Sequence, residues 1–378
     1  MTAPIPFERP VFVTRPVLPP LGDYVALLET VWQSHALTNM GPMHQMLELA
    51  IGDRVGAGET ALWNNGTSAL MGAIRALELR GKVVVTPFTF PATVHAIALL
   101  GLEPVFADID DESLTIDPVK IEEVIVDGVS GIMGTHVYGR FCATERIAEV
   151  ASSSGLKVIY DGAHSFSRRP PIFPDDPTAI GDITILSFHA TKLFHSVEGG
   201  ATVTMDPELN RRLKLLRNFG IVSESEVELV GMNGKMSEVH AAMGVAMLGM
   251  IEGEIAQREA VASAYAAGLE GIEGVRIVAG NGDSMQYFVI RIDPVAFGST
   301  RDALLDTLRS MNVVARKYFS PLCSDMDPYS ALPSAQNLPV ARTAAREVLA
   351  LPFYGGMSAD DAHRIVEIIE WHHGGGRL

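Results

Sequence analysis

Cysteine is scarce in this chain: there are two, Cys142 and Cys323, far apart in sequence. This excludes a disulfide framework and a paired-cysteine zinc motif, and a reducing, cytoplasmic setting is expected. Positive charge is also short, with 29 Lys and Arg against 45 Asp and Glu and a net charge of −16. A general DNA- or RNA-binding surface is therefore excluded, because such a surface has to neutralise phosphates. Any anionic substrate must find its cationic contacts locally. Long apolar runs are missing as well; stretches such as Ala96–Leu102 are far too short to span a bilayer, and no membrane association is expected. The segment Met1–Pro20 is rich in proline and lacks a continuous apolar core, so it does not read as a signal peptide. There is no internal repeat, no low-complexity tract, no phosphate-loop lysine motif, no GxSxG elbow and no HExxH helix, and no metal site is expected.

What is present is apolar residue in quantity: 47% of 378 residues are hydrophobic and 20% charged. A chain of this length and composition is globular and too long for one small core, so two domains are expected. From Ala61 to about Met205, short β-branched runs alternate with helical stretches. The expected strands are Val83–Val85, Pro104–Ala107, Gly131–Gly134, Lys157–Tyr160, Ile183–Leu186 and Ala201–Val203, with helices such as Ser68–Arg80 and Thr144–Ser153 between them. Such alternation implies an α/β layer with a mostly parallel sheet, whose ligands collect at the carboxyl ends of the strands. After Gly231 the character changes. Ser237 is placed to cap one long helix running through Glu252–Glu259. A smaller α+β unit follows, with strands near 275–278 and 286–292 and helices near 300–311 and 359–371. The expected division is a large domain over residues 1–250 and a small one over 251–378.

The segment Ser187-Phe188-His189-Ala190-Thr191-Lys192 ends an apolar run and precedes Gly199-Gly200. A lysine just past a buried strand loses solvation and becomes nucleophilic near neutral pH. Asp161, thirty-one residues upstream, ends another apolar stretch. The pair suits a pyridoxal phosphate site, with the lysine for covalent attachment and the acid for the pyridine nitrogen. Taken alone, a helix-capping Asp and a solvated Lys account for the same residues.

More pieces follow in order: Asn65-Gly66-Thr67-Ser68-Ala69-Leu70, Thr86-Pro87-Phe88-Thr89-Phe90-Pro91-Ala92-Thr93, Pro104–Asp110, His136-Val137-Tyr138-Gly139, Asp161-Gly162-Ala163-His164, and Gly231-Met232-Asn233-Gly234-Lys235-Met236-Ser237-Glu238. With Ser187–Lys192, they give the chain its resemblance to the pyridoxal phosphate-dependent nucleotide-sugar aminotransferases of the DegT/DnrJ/EryC1/StrS family, which have the aspartate aminotransferase (type I) fold.

The resemblance implies a large domain with a mostly parallel mixed sheet between helices, followed by the small α+β domain. It implies pyridoxal 5'-phosphate as cofactor, bound at its phosphate by Gly66, Thr67, Ser68 and Ser187. The free N–H groups of a helix start favour an anion there. Phe90 would lie against a face of the ring, Asp161 would hold the ring nitrogen protonated, and His164 would contact or stack near the ring oxygen. Lys192 would form the Schiff base and shuttle protons; relatives that dehydrate sugars carry histidine there, so the lysine favours transamination. Asn233 would reach the phosphate in a neighbouring subunit, which implies a homodimer with shared sites. For substrate, the resemblance points to Asn39 in Leu37–Pro42, His189 and Lys235 (often arginine in relatives); Tyr318, in Arg316-Lys317-Tyr318-Phe319 of the small domain, is a further candidate, for which a packed aromatic is at least as good an account.

The wording around Lys192 looks most like enzymes making dTDP-4-amino-4,6-dideoxyglucose from dTDP-4-dehydro-6-deoxy-D-glucose, with L-glutamate as amino donor. Amination at C3, or of a UDP- or GDP-linked keto sugar, is the alternative. A non-catalytic binding or regulatory protein of the same fold is a remote third, because Lys192, Asp161 and the phosphate turn are all retained.

Overall fold

The computed structural model describes residues 3–376 except Ala57, Arg169, Pro174, Asp175, Asn281 and Asp283. A seven-stranded sheet dominates it: β1 (Glu59–Trp63), β2 (Lys82–Val85), β3 (Glu103–Phe106), β4 (Val129–Thr135), β5 (Lys157–Asp161), β6 (Ile183–Ser187) and β7 (Gly200–Thr204), in spatial order β1-β7-β6-β5-β4-β2-β3. Neighbours from β3 through β6 pair parallel; only β7 runs against the rest.

The strands are apolar on both faces, as a sheet covered on both sides requires. Val83, Val85, Ile159, Ile183 and Ile185 join one core, which also contains Leu70, Ala73 and Ile74 of helix α3 (Gly66–Ala76) and Val94 and Ile97 of α4 (Pro91–Leu99). Val84, Ile132, Val158 and Tyr160 face the other way, onto Ile147, Val150 and Ala151 of α5 (Thr144–Ser154). Leu62, Leu186, Ala201 and Val203 join a third cluster. That cluster includes residues of α1 (Leu21–Ser34), α2 (Pro42–Val55) and α6 (Glu238–Leu248).

The six expected strands all form, each within two residues of the anticipated ends. Strand β1 was not anticipated. Apart from Thr60 it has no β-branched residue, and its state follows from its antiparallel partner β7.

One expectation is corrected. The helix capped by Ser237 does not run on through Glu259. It ends at Leu248, and α7 (Ile251–Leu269) starts after a 59° bend. Met250 N bonds back to Met247 O at 3.0 Å, a tight closing turn beside Gly249. We propose this bend, at residue 250, as the boundary between a larger and a smaller domain. Beyond it, an antiparallel sheet of β8 (Val275–Ala279), β9 (Phe288–Ile292) and β10 (Val348–Leu351), in that order, packs with α8 (Arg301–Ser310) and α9 (Ala359–His373). Strand β10 was also unforeseen, since Val-Leu-Ala-Leu carries no strand signature of its own. Among the described residues no single helix is long and apolar enough to cross a membrane. Cys142 and Cys323 are buried free thiols.

Candidate active site

Parallel strands expose their carboxyl ends along one edge, and the chemistry-bearing residues sit there. Thr135, Asp161 and Ser187 are the last residues of β4, β5 and β6, and Thr135 is level with Asp161 in the sheet register. These ends open on a cavity of about 280 Å³. Nine of the expected residues line it: Gly66, Thr67, Phe90, Asp161, His164, Ser187, His189, Lys192 and Tyr318.

Helix α3 begins at the cavity. Asn65 caps it, its side chain accepting from Ser68 N at 2.8 Å. Gly66 and Thr67, in the first turn where helix amides have no partner within the helix, line the cavity. A Cβ on Gly66 would come within 3.2 Å of Ser187 Cβ, and one on Gly200 within 2.9 Å of Gly66 N, so only glycine permits this close meeting of turn and strand. The hydroxyls of Thr67 and Ser187 have no partner among the described residues. Ser68, expected on the phosphate, instead turns its hydroxyl back to Asn64 and Asn65 and does not line the cavity.

Asp161 is 5% exposed. Its Oδ2 accepts from Thr93 at 2.6 Å and its Oδ1 from Ala163 N at 3.0 Å. Burial pushes its carboxyl above the usual range, while these bonds and the Lys192 charge act the other way. Neither oxygen acts as a helix cap, so the bland alternative for Asp161 does not hold.

Lys192 stands in a loop that its neighbours fasten. Phe188 N donates to Gly199 O at 2.9 Å, and Leu193 N to Gln286 Oε1 at 3.0 Å; Phe188, Leu193 and Phe194 are core residues. Its Nζ lies 5.9 Å from the Tyr287 ring centre. Burial lowers its pKa to about 8, partly offset by Asp161. A sizeable neutral fraction therefore exists at physiological pH, the condition for a nucleophilic amine.

His164 Nδ1 accepts from Tyr138 N at 3.1 Å, so a neutral ring carries its proton on Nε2. Burial and the Lys192 charge hold the imidazole pKa well below its usual value, and the ring stays neutral. It stacks on Phe319 at 6.2 Å between ring centres. Phe90 is 58% exposed, which removes the alternative that it is simply core. Tyr318 both lines the cavity and packs edge-on to Tyr287.

Besides Ser68, three expected residues do not join the cavity wall of their own chain: Asn39, Asn233 and Lys235. Asn39 is exposed and has a left-handed backbone at φ 64°. Asn233 is exposed, and the Lys235 ammonium sits 4.4 Å from the Phe219 ring centre. Conversely, Thr89, Thr135, Glu198, Tyr287 and Phe319 line the cavity and were not anticipated. Thr89 falls inside a quoted motif and Thr135 directly follows the expected strand Gly131–Gly134, which is the signal that was available; nothing local marks Tyr287, in the smaller unit.

A desolvated amine, a buried acid and a helix start surround one cavity at the edge of a mostly parallel sheet, an arrangement suited to aminotransferase chemistry. Residues 22–370 match the DegT/DnrJ/EryC1/StrS aminotransferase family, and the chain belongs to it. It is 41% identical over 367 residues to a dTDP-4-amino-4,6-dideoxy-D-glucose transaminase of Shigella dysenteriae, covering 96% of this chain and 99% of that one. The transaminase of the same name from Escherichia coli is 38% identical, with 96% and 98% covered. Among solved structures, DesI crystallised in the presence of its TDP-sugar product superposes with a TM-score of 0.91 at 32% identity, covering 98% of this chain and 94% of DesI.

Proposed function

We propose that this protein moves the amino group of L-glutamate to C4 of dTDP-4-dehydro-6-deoxy-D-glucose, giving dTDP-4-amino-4,6-dideoxy-D-glucose, with pyridoxal 5'-phosphate as cofactor. One observation carries the reading: Lys192, Asp161 and the start of α3 converge on one cavity, in a chain 41% identical to a transaminase that bears this product's name.

The residues present fit the cofactor. The glycine-lined turn and the unpartnered hydroxyls of Thr67 and Ser187 suit its phosphate. The buried carboxylate suits its ring nitrogen, and Lys192 its aldehyde. When bound, pyridoxal phosphate supplies the electron sink for the carbon that loses or gains the amino group.

The protein's part is positioning and proton handling. Lys192 takes and returns a proton at Nζ, which its pKa of about 8 makes feasible in both directions near neutrality. Asp161 would pair with the ring nitrogen of the cofactor and keep it protonated. His164 donates from Nε2 to an acceptor such as a phenolic oxygen without adding charge. Phe90, exposed towards the cavity, offers a flat apolar cover. At the opening, His189 Nε2 and Glu198 Oε1 lie 3.6 Å apart, with Tyr318 nearby, in reach of a sugar.

We read the functional unit as a homodimer with shared sites. Asn233 lies outside its own chain's cavity, on a surface where Phe219, Ile221, Val222, Val227 and Val230 are exposed. Buried free thiols suit a reducing, cytoplasmic setting. The test is a screen of dTDP-, UDP- and GDP-linked 4-keto and 3-keto sugars with L-glutamate, products read by mass. Amination of the dTDP-4-keto sugar ahead of the others is expected; preference for a 3-keto sugar or another nucleotide would replace this reading.

A further inference from the structure

Three buried threonines lead through the protein to Asp161. Thr135 Oγ1 donates to Thr89 Oγ1 at 3.0 Å, Thr89 and Thr93 hydroxyls meet at 2.9 Å, and Thr93 Oγ1 donates to Asp161 Oδ2 at 2.6 Å. All three side chains are 2% exposed or less. The direction of the chain is forced. A hydroxyl has one hydrogen and an ionised carboxylate only accepts, so the Thr93 hydrogen goes to Asp161. Thr93 must then accept from Thr89, and Thr89 from Thr135.

We propose that Thr135, Thr89 and Thr93 are positioning residues that act as one relay of aligned hydroxyls, holding Asp161 ionised and fixing the face it presents to the cofactor nitrogen. This rests on the reading of the cavity as a pyridoxal phosphate site.

The physical need is plain. Burial opposes ionisation of Asp161, and of the effects acting against burial the Thr93 hydroxyl is the largest, ahead of the Ala163 amide and the Lys192 charge. Among the described residues, Lys192 is the cation that acts on this carboxylate; the Cys142 thiol, which also feels Asp161, is pushed up to about 12 by burial and stays neutral, as does His164. Hydrogen bonds therefore do most of what a cation does elsewhere. A hydroxyl that itself accepts a hydrogen bond is a stronger donor, so each link strengthens the next. The effect of breaking a link should then fall with its distance from Asp161.

The experiment loads the full-length protein with pyridoxal phosphate labelled with 15N at the ring nitrogen and follows that signal by NMR against pH. Thr93→Val should lower the midpoint at which the nitrogen loses its proton by about one pH unit, roughly a tenfold change in the equilibrium. Thr89→Val should give a smaller shift and Thr135→Val the smallest, while Thr93→Ser, which keeps the hydroxyl, should match the parent. The turnover number should fall in the same order with little change in KM for the sugar. Should Thr93→Val fail to fold, Thr89→Val carries the same test one link away. An unmoved midpoint in the valine variants, or shifts without the stated order, overturns the relay alone. Failure of the parent protein to take up the cofactor overturns the relay and the functional reading together.

Discussion

At the scale of the residue, burial acts in opposite senses on two groups that face one cavity. It lowers the pKa of Lys192 and raises that of Asp161, and each charge partly restores the other. The sign of the lysine effect sets a pH dependence. Only the neutral amine attacks an aldehyde, so the rate at which the apoprotein takes up pyridoxal phosphate should rise with pH and level off above about 8. A midpoint near the ordinary lysine value would mean that Lys192 is not desolvated. Replacing Lys192 by Ala should abolish both turnover and the adduct that borohydride fixes to the chain; an adduct that persists names another lysine. Asp161→Asn keeps the shape and the acceptor for Thr93 but removes the charge. We expect turnover to fall by several powers of ten while some cofactor still binds, and near-normal turnover would mean that another group pairs with the ring nitrogen.

At the scale of the element, the motifs divide into those that do chemistry and those that hold the frame. Asp108, in the quoted Pro104–Asp110 segment, accepts from Val340 N at 2.9 Å and Ala341 N at 2.8 Å, so it caps the helix Pro339–Glu347. Glu238, in the Gly231–Glu238 segment, is fully buried and accepts from Met43 N at 2.7 Å and His44 N at 3.1 Å. It therefore caps α2 from a distant part of the chain, while its own amide donates to Leu37 O at 3.0 Å. Glu238→Ala leaves two amides without a partner and should cost about 1–3 kcal/mol, read as a lower melting temperature; an unchanged melting curve would show that water replaces the carboxylate without loss. Local pattern found the parallel strands because both of their faces are apolar, whereas Lys192 and Asp161, just past and at strand ends, are singled out only with the family resemblance beside it. It did not find Tyr287, Phe319 or the break at Gly249–Met250. Those depend on which distant element packs against the segment, and Val348–Leu351 becomes a strand only beside β9.

At the scale of the whole molecule, a chain of net charge −16 has to bind an anionic nucleotide sugar, so favourable charge must come from a few local groups rather than the overall field. Lys235 and Asn233 stand away from their own cavity, and a second subunit would give both a site to serve. Mixing Lys192→Ala chains with Asn233→Asp chains tests this. A mixed dimer has one site with both defects and one with neither, so activity should recover on mixing; no recovery despite proven subunit exchange would reject shared sites. The central claim, that an amino group passes from glutamate to C4 of a dTDP-linked sugar, has its most direct test in the fate of the nitrogen itself. The protein, dTDP-4-dehydro-6-deoxy-D-glucose and L-glutamate labelled with 15N at the amino group should yield an amino sugar that carries the label on C4, with 2-oxoglutarate formed in equal amount. A product without label, or label at any other carbon, would contradict the account.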